Sequence, residues 1–282
     1  MKYSYYPGCT LSSTAVEYGL STEAVCEALS IELIELQDWN CCGATSGHAL
    51  SHELATALPG RNVAIAQAAG LDIAIPCPAC YQRCLAADKR FQDDEAWRAE
   101  MEELLDFEYT GQARPRHLLE IIGCDLDSED IAAKVKKPLE GLKPVSYYGC
   151  VLVRPPELTG WDDPEHPVIM DRLLKALGAE PVSWSYIVDC CGASLTLNRS
   201  DVVVTLVNRL VQAAEEAGAN CMVTACGMCQ INLDTRQKGH HMPIFYFTEL
   251  LGLAFDLPGT DNWFKRHAID PRPLLRTLRF EL

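Results

Sequence analysis

Ten of the fourteen cysteines in this 282-residue chain recur as two matched sets of five. The first set is Cys9, Cys41, Cys42, Cys77 and Cys80, and the second is Cys150, Cys190, Cys191, Cys226 and Cys229. In each set, 34 residues separate the vicinal pair from the Cys-x-x-Cys motif. The segment before the pair is 31 residues long in the first set and 39 in the second. This spacing indicates an internal duplication with a longer first loop in the second half.

Five thiolates are too many for a single structural zinc ion, which takes four ligands. Iron–sulfur clusters are bound by thiolates, and these can come from distant segments of a chain. Adjacent side chains diverge, so a vicinal pair suits an extended cluster better than one compact ion. The pattern therefore favours an iron–sulfur cluster in each half over two alternatives, zinc in at least one half and disulfides or ordinary core thiols. A glycine beside each ligand group would let backbone N–H groups approach the cluster; these are Gly8, Gly43, Gly149, Gly192 and Gly227.

The remaining four cysteines have no cysteine at the corresponding position of the other half. They are Cys26, Cys84, Cys124 and Cys221. We expect all four to be small buried hydrophobic residues, with a contact to the first cluster still open for Cys84, one helical turn after Cys80. Trp39 and Trp184 precede the two vicinal pairs and either shield the clusters from water or fill the core.

The cysteines lie in an alternation of predicted strands and helices. Strands are predicted at 2–6, 32–36, 71–76, 107–110, 145–148, 181–185, 222–224 and 243–247. Helices are predicted at 14–29, 61–69, 117–122, 168–177, 201–217 and 248–254. This alternation predicts an α/β fold of two tandem pseudo-symmetric repeats, each a small parallel sheet flanked by helices. We expect domains at 1–141 and 142–282, with 111–142 as the connecting stretch.

Four cysteines, Cys9, Cys77, Cys150 and Cys226, directly follow predicted strands. Ligands of parallel sheets gather beyond the carboxyl ends of the strands, so we expect both cysteine sets at that edge.

Composition limits the classes of function. The net charge of −15 argues against nucleic acid as the main partner. No apolar run is long enough for a membrane span, and no secretory signal is recognisable, so we expect a cytoplasmic protein with reduced thiols. The chain has no ferredoxin-type run of closely spaced cysteines, so conventional clusters must come from partner proteins.

The complete motif resembles the duplicated cysteine-rich (CCG) domain, and most closely the B-subunit family of heterodisulfide reductase. The stretch Tyr-Gly-Cys-Val-Leu-Val-Arg-Pro-Pro-Glu at 148–157, running to Trp-Asp-Asp-Pro at 161–164, is also similar to that family. The resemblance covers essentially the whole chain. One departure is a slightly shorter segment between the vicinal pair and the Cys-x-x-Cys motif, and it is equally short in both halves.

The resemblance implies two non-cubane [4Fe–4S] clusters, each held by the five cysteines of one set, with a disulfide substrate cleaved between them. It also implies two partner proteins, the ferredoxin-like C-subunit and the flavin-containing A-subunit of the complex. The rivals are an electron-relay subunit of a quinone-linked system oxidising succinate, lactate or glycolate, and an Hdr-like complex of sulfur oxidation or sulfate reduction acting on a protein-borne disulfide. A zinc-stabilised scaffold without redox turnover is a further alternative.

The longer loop of the second half is expected to cover the second cluster and to influence the choice of substrate. Within it, Arg154 could contact an anionic part of the substrate. A structural ion pair with Asp162, Asp163 or Glu165 is an equally good interpretation.

Overall fold

Short strands form two parallel sheets, one in each half of the chain. The computed structural model describes residues 1–44 and 47–281. The first sheet has the order β2-β1-β3-β4, formed by Lys2–Tyr5 (β1), Glu32–Glu35 (β2), Ile73–Ile75 (β3) and Pro115–His117 (β4). The second has the order β5-β6-β7, formed by Pro144–Tyr147 (β5), Cys221–Thr224 (β6) and Ile244–Tyr246 (β7). Every pairing is parallel, which confirms the predicted α/β repeats.

Helices connect and cover the strands. In the first half they are Gly8–Leu11 (α1), Val16–Ala28 (α2), Gly47–Leu50 (α3), His52–Ala69 (α4), Pro78–Asp93 (α5), Glu95–Leu105 (α6), Leu118–Cys124 (α7) and Ser128–Ala132 (α8). In the second half they are Ile169–Ala176 (α9), Ser200–Glu216 (α10), Gly227–Thr235 (α11), Phe247–Ala254 (α12), Thr260–Phe264 (α13) and Arg272–Thr277 (α14), with a 3₁₀ turn at Ala193–Leu195. Among the described residues, no helix is both long enough and apolar enough to cross a membrane.

The strand predicted at 107–110 is wrong. Its aromatic residues Phe107 and Tyr109 pack against Phe91 in a side cluster, where Tyr109 stacks on that ring at 4.9 Å. The sheet uses β4 instead, and α7 and α8 follow it. Residues 111–142 therefore contain a strand and two helices of the first half, and are more than a connector.

The strand predicted at 181–185 is also absent. The segment runs beside β5, and the Val182 N–H donates to the Pro144 carbonyl at 2.8 Å. The Ser146 carbonyl, next in this register, accepts from the indole N–H of Trp184 at 2.9 Å and not from a backbone N–H, so the ladder is not continued and the segment remains irregular. The second sheet consequently has one strand fewer than the first.

The two halves share one packed interface. Helix α2 of the first half lies on α12 and α13 of the second. The buried Tyr18 hydroxyl is 3.2 Å from the carbonyl of Pro76 and 3.3 Å from that of Ala225, so it can donate to either. Each of these two residues directly precedes the first cysteine of a Cys-x-x-Cys motif. One side chain thus lies between the strand ends that carry the two motifs.

A fully buried ion pair stabilises the second half. The Nε2 atom of His267 is 2.9 Å from Oε1 of Glu249, and neither side chain is exposed. Burial, the largest single effect, lowers the pKa of His267, but the charge of Glu249 and its hydrogen bond, together with the charges of Asp234 and Glu17, outweigh burial and raise the pKa to about 9. A histidine whose pKa rises on folding adds stability below its unfolded pKa of about 6.5 and loses it as the pH rises through the folded value.

We expect the wild-type protein to lose about 3 kcal/mol of unfolding free energy between about pH 6 and pH 10, relative to His267→Gln. Anaerobic denaturant titrations of both proteins at a series of pH values would measure this difference. Thiols titrate in the same range, so only the comparison with the variant isolates the histidine. A difference that stays constant with pH would contradict the prediction.

Candidate functional site

The structure brings the first five cysteines together beyond the ends of β1 and β3. The Sγ atoms of Cys42 and Cys80 are 3.3 Å apart. Cys9 lies close enough to Cys41 and Cys77 for their charges to raise its pKa, in addition to the larger effect of burial. Cys9 and Cys41 are exposed, whereas the other three are buried. The set therefore has one edge open to solvent and one edge in the core.

The second set repeats this arrangement. The Sγ atoms of Cys191 and Cys229 are 3.5 Å apart, and those of Cys150 and Cys190 are 3.7 Å apart. The N–H of Cys229 donates to Sγ of Cys226 at 3.4 Å. Cys150 and Cys190 are exposed and the other three are buried. The pseudo-symmetry thus extends from the backbone to the sulfur contacts.

The two sets fit a polynuclear iron–sulfur cluster better than a single ion. All the cysteines are free thiols, and the closest sulfur atoms are well beyond the disulfide bond length of about 2.05 Å. Within the described residues, the recorded sulfur contacts of each set are pairwise, and no group of three or more His, Cys, Asp or Glu side chains is arranged around a single point. Five free thiols on several segments are the soft donor set that iron–sulfur clusters take.

Contacts between thiols favour ionisation of one partner. Hydrogen bonding with Cys80 lowers the pKa of Cys42 to about 7 against the opposing effect of burial. Hydrogen bonding with Cys150 lowers the pKa of Cys190 to about 6, and the Gly192 N–H, 3.2 Å from Sγ of Cys190, acts in the same direction. The pKa values of Cys80 and Cys150 are raised by the same contacts. Because metals bind the thiolate form, loading would release the protons that remain.

Two glycines allow the backbone to approach the sulfur atoms closely. Gly8 and Gly149 both have a φ of +69°, a conformation that residues with a Cβ rarely adopt. A Cβ on Gly8 would lie 3.0 Å from Sγ of Cys80, and one on Gly149 would lie 3.1 Å from Sγ of Cys229. At both positions, therefore, only glycine leaves enough space between the backbone and the neighbouring sulfur atom.

Comparison with protein families matches the CCG cysteine-rich domain twice, at residues 3–83 and 145–234. This chain belongs to the CCG family. The two matches contain the two cysteine sets and confirm the duplication that the spacing predicts.

Relatives of this CCG protein extend over nearly its whole length. It is 28% identical, over 97% of its length and 99% of the relative, to the 8-methylmenaquinol:fumarate reductase membrane anchor subunit of Wolinella succinogenes. It is 27% identical, over 95% of its length and 94% of the relative, to the B-subunit of the ferredoxin/F420H2-dependent CoB-CoM heterodisulfide reductase of Methanosarcina acetivorans. The predicted resemblance to the B-subunit family is confirmed, and these relatives support an iron–sulfur subunit of an oxidoreductase.

A solved structure supports the fold alone. The crystal structure of a hypothetical protein from Helicobacter pylori superimposes with a TM-score of 0.73 at 11% identity, over 95% of this chain. The CCG protein spans about half of that longer chain, 52%.

A pair of tyrosines, missed by the analysis of the sequence, positions the vicinal cysteines. Tyr6 donates to the carbonyl of Asn40 at 2.8 Å, and Tyr147 donates to that of Asp189 at 2.7 Å. Each acceptor directly precedes a vicinal pair. The sequence does contain a sign of this shared role, since both tyrosines lie three residues before the first cysteine of their repeat.

Removing these hydroxyls should have unequal effects. The Asn40 carbonyl also accepts from the Asn62 amide at 2.8 Å, whereas the Asp189 carbonyl has no second donor among the described residues. We expect Tyr147→Phe to lower the unfolding free energy by about 1–3 kcal/mol and Tyr6→Phe by about 0.5–1.5 kcal/mol. Denaturant unfolding of the two variants checks the order, which equal losses would contradict.

The tryptophans contact these same tyrosines. Trp184 is buried, lies 6.1 Å from the Tyr147 ring and donates to the Ser146 carbonyl at 2.9 Å. The half-buried Trp39 meets the Tyr6 ring edge-on at 5.5 Å. Their expected shielding of the clusters stays a prediction.

The unmatched cysteines do not all behave alike. Cys26, Cys84 and Cys221 are buried as expected. Cys124 is exposed, so the expectation of burial is wrong there: it is the last residue of α7, past the turn that packs into the core. Cys84 is fully buried, and after burial itself the charges of Cys42 and Cys77 raise its pKa, which places it beside the first set.

The longer loop of the second half reaches across to the first. It begins at Cys150, and Gln82 on α5 donates to the Arg154 carbonyl at 3.1 Å. The Arg154 guanidinium donates to the Pro164 carbonyl at 2.8 Å and forms an ion pair with Glu165. Arg154 therefore forms a structural ion pair, one of the two roles considered for it, and the partner is Glu165. A contact with substrate stays a prediction.

Proposed function

We propose that this CCG protein is the iron–sulfur subunit of a heterodisulfide-reductase-like complex. In this proposal each repeat holds one non-cubane [4Fe–4S] cluster through its five cysteines, and a disulfide is reduced between the two clusters. The observation that carries it is the convergence of both sets, with matching contacts and matching exposed edges, in one chain related to the B-subunit of heterodisulfide reductase.

The backbones that carry the two sets meet at the interface between the halves. A Cβ on Gly227 would come within 2.8 Å of the Thr10 side chain. Gly227 directly follows Cys226, and Thr10 directly follows Cys9. A substrate bridging the exposed edges of both sets would therefore contact both halves.

Reduction of a disulfide consumes two electrons and two protons and yields two thiols. Bound clusters would supply the electrons, one at a time. The chain's own residues hold the ligand segments in place: Tyr6 and Tyr147 fix the vicinal pairs, and Tyr18 lies between the Cys-x-x-Cys segments. The exposed cysteines Cys9 and Cys150 leave an accessible edge for substrate in each half.

The proposed electron donors are two partner proteins of the complex, the ferredoxin-like iron–sulfur C-subunit and the flavin-containing A-subunit. The relatives that belong to heterodisulfide reductases favour a multi-subunit complex of this kind.

Two measurements on anaerobically purified protein test the proposal. Metal and sulfide analysis with electron paramagnetic resonance should find roughly eight irons per chain, and no zinc. Reduced methyl viologen should then be oxidised when a disulfide is added. Four irons per chain, or stoichiometric zinc, would contradict the presence of two clusters. If iron-loaded protein reduced neither a panel of small disulfides nor a protein disulfide from a partner, the proposed reaction would be wrong.

A quinone-linked function is the second candidate. It is favoured by the 28% identity to the 8-methylmenaquinol:fumarate reductase membrane anchor. Reduction of a menaquinone analogue by the reduced protein, with no response to disulfides, would support this candidate over the first.

Arg154 offers a test of substrate contact. If it binds an anionic substrate, Arg154→Ala should raise KM by about tenfold or more with little change in kcat, the loss expected for a charged contact. Glu165→Gln removes only the observed ion pair and serves as the control. An unchanged KM in Arg154→Ala would leave this arginine a purely structural role.

A further inference from the structure

A buried amide is directed at one sulfur of the second set. Asn232 lies on α11 three residues after Cys229 and is 1% exposed. Its Nδ2 donates to Sγ of Cys191 at 3.7 Å. Its Oδ1 accepts from the Thr196 hydroxyl at 3.1 Å and from Nε of Arg236 at 3.2 Å. These two donors fix the orientation of the amide, so that its N–H groups point towards the sulfur.

The same position of the first repeat carries a full positive charge. Arg83 lies on α5 three residues after Cys80, in the register that Asn232 occupies on α11. Residues three apart on a helix share a face, so Arg83 is on the side of Cys80, whose sulfur contacts Cys42. The Arg83 charge is also close enough to Cys42 to act on its sulfur. Among the described residues, Arg83 has no ion-pair partner.

A second difference between the repeats also makes the surroundings of the second set more negative than those of the first. The residue before the vicinal pair is the neutral Asn40 in the first repeat and the acidic Asp189 in the second. Asp189 directly precedes Cys190 and places a negative charge beside the second set. Arg209, which lies over the Tyr186 ring at 4.9 Å, offsets this charge only in part, because it is exposed to solvent screening.

We infer that these residue differences between the repeats make the two clusters electronically inequivalent, and that the first-repeat cluster is the easier to reduce. The inference rests on the proposed function, since it requires a cluster in each repeat. Adding an electron makes a cluster more negative, so a nearby cation favours the reduced state and a nearby anion opposes it. The Asn232 amide and the Arg236 guanidinium that donates to it also favour reduction in the second repeat. The difference between the clusters therefore rests on the negative charge of Asp189, where the first repeat has the neutral Asn40. The first electron therefore resides in the first repeat.

A redox titration followed by electron paramagnetic resonance tests this without an activity assay. The wild-type chain should show two midpoint potentials, assigned by comparison with Cys42→Ser and Cys191→Ser, each of which removes the signal of one repeat. Arg83→Gln should lower only the first-repeat potential, and Asp189→Asn should raise only the second. We expect each to change the electron partition between the clusters by about tenfold, which corresponds to 59 mV for a one-electron couple.

The controls separate charge from structure. Arg83→Lys keeps the charge and should restore the wild-type potential, whereas Lys89→Gln removes an exposed charge farther along α5 and should change neither potential. Identical wild-type potentials, or equal shifts of both signals in Arg83→Gln, would overturn the inference. A chain that binds no iron, or only one cluster, would instead overturn the proposed function.

Discussion

Cys191→Ser is expected to leave the chain with about half of its iron and without disulfide reduction. Cys191 is buried, its sulfur contacts that of Cys229 at 3.5 Å, and it accepts from the Asn232 amide. A serine hydroxyl has the size of a thiol but lacks the soft, readily ionised sulfur that binds iron. The second-repeat cluster should be lost, while the first repeat keeps its own five ligands.

The pseudo-symmetry supplies the matched experiment. Cys42→Ser should remove the other half of the iron, because Cys42 makes the equivalent contact with Cys80. Cys221→Ala changes a cysteine that is just as buried but lies in β6 outside both sets, and it should keep all of the iron. Iron and sulfide analysis of the three purified variants measures the effect. Full iron content in Cys191→Ser would refute the ligand set.

The arrangement of the thiols was predictable because it depends on chain topology. A cysteine that follows a parallel strand must lie at the carboxyl edge of the sheet, and four of the repeated cysteines do so. Repetition then identified their partners, because the two halves are equal in length between the vicinal pair and the Cys-x-x-Cys motif. The pairwise sulfur contacts could not be predicted from the sequence, since they depend on side-chain directions at two loops.

The errors occurred where side chains outweigh local preference. Phe107 and Tyr109 are residue types that favour strands, but in the structure their rings pack against Phe91. The segment that begins at Pro181 has a suitable composition, yet the Trp184 indole N–H donates to the Ser146 carbonyl where a backbone N–H would continue the ladder. The sequence does not reveal the roles of Tyr6 and Tyr147, because a tyrosine at the end of a buried strand predicts core packing equally well, and only the structure shows where the hydroxyl donates.

Gly8→Ala and Gly149→Ala are expected to reduce iron binding strongly, each in its own repeat. The positive φ of 69° alone should cost alanine about 1–2 kcal/mol. The larger effect comes from the added Cβ, which would lie 3.0 Å from Sγ of Cys80 in the first repeat and 3.1 Å from Sγ of Cys229 in the second. Both sulfurs are buried and held by neighbouring thiols, so they cannot move away without breaking those contacts.

Gly218→Ala separates backbone strain from the clash with sulfur. Gly218 has a φ of +87° and a Cβ there would meet no atom within 4 Å, so it carries the strain without the contact. We expect Gly218→Ala to lower stability in denaturant unfolding but to keep its full iron content. Gly8→Ala and Gly149→Ala should lose about half of the iron each, with the electron paramagnetic resonance signal of the other repeat unchanged. If all three variants kept their iron, close approach of the backbone to these sulfurs would not be a requirement of the site. Loss of iron in Gly218→Ala as well would mean that the clusters respond to global stability, and the two glycines would then have no special role in holding them.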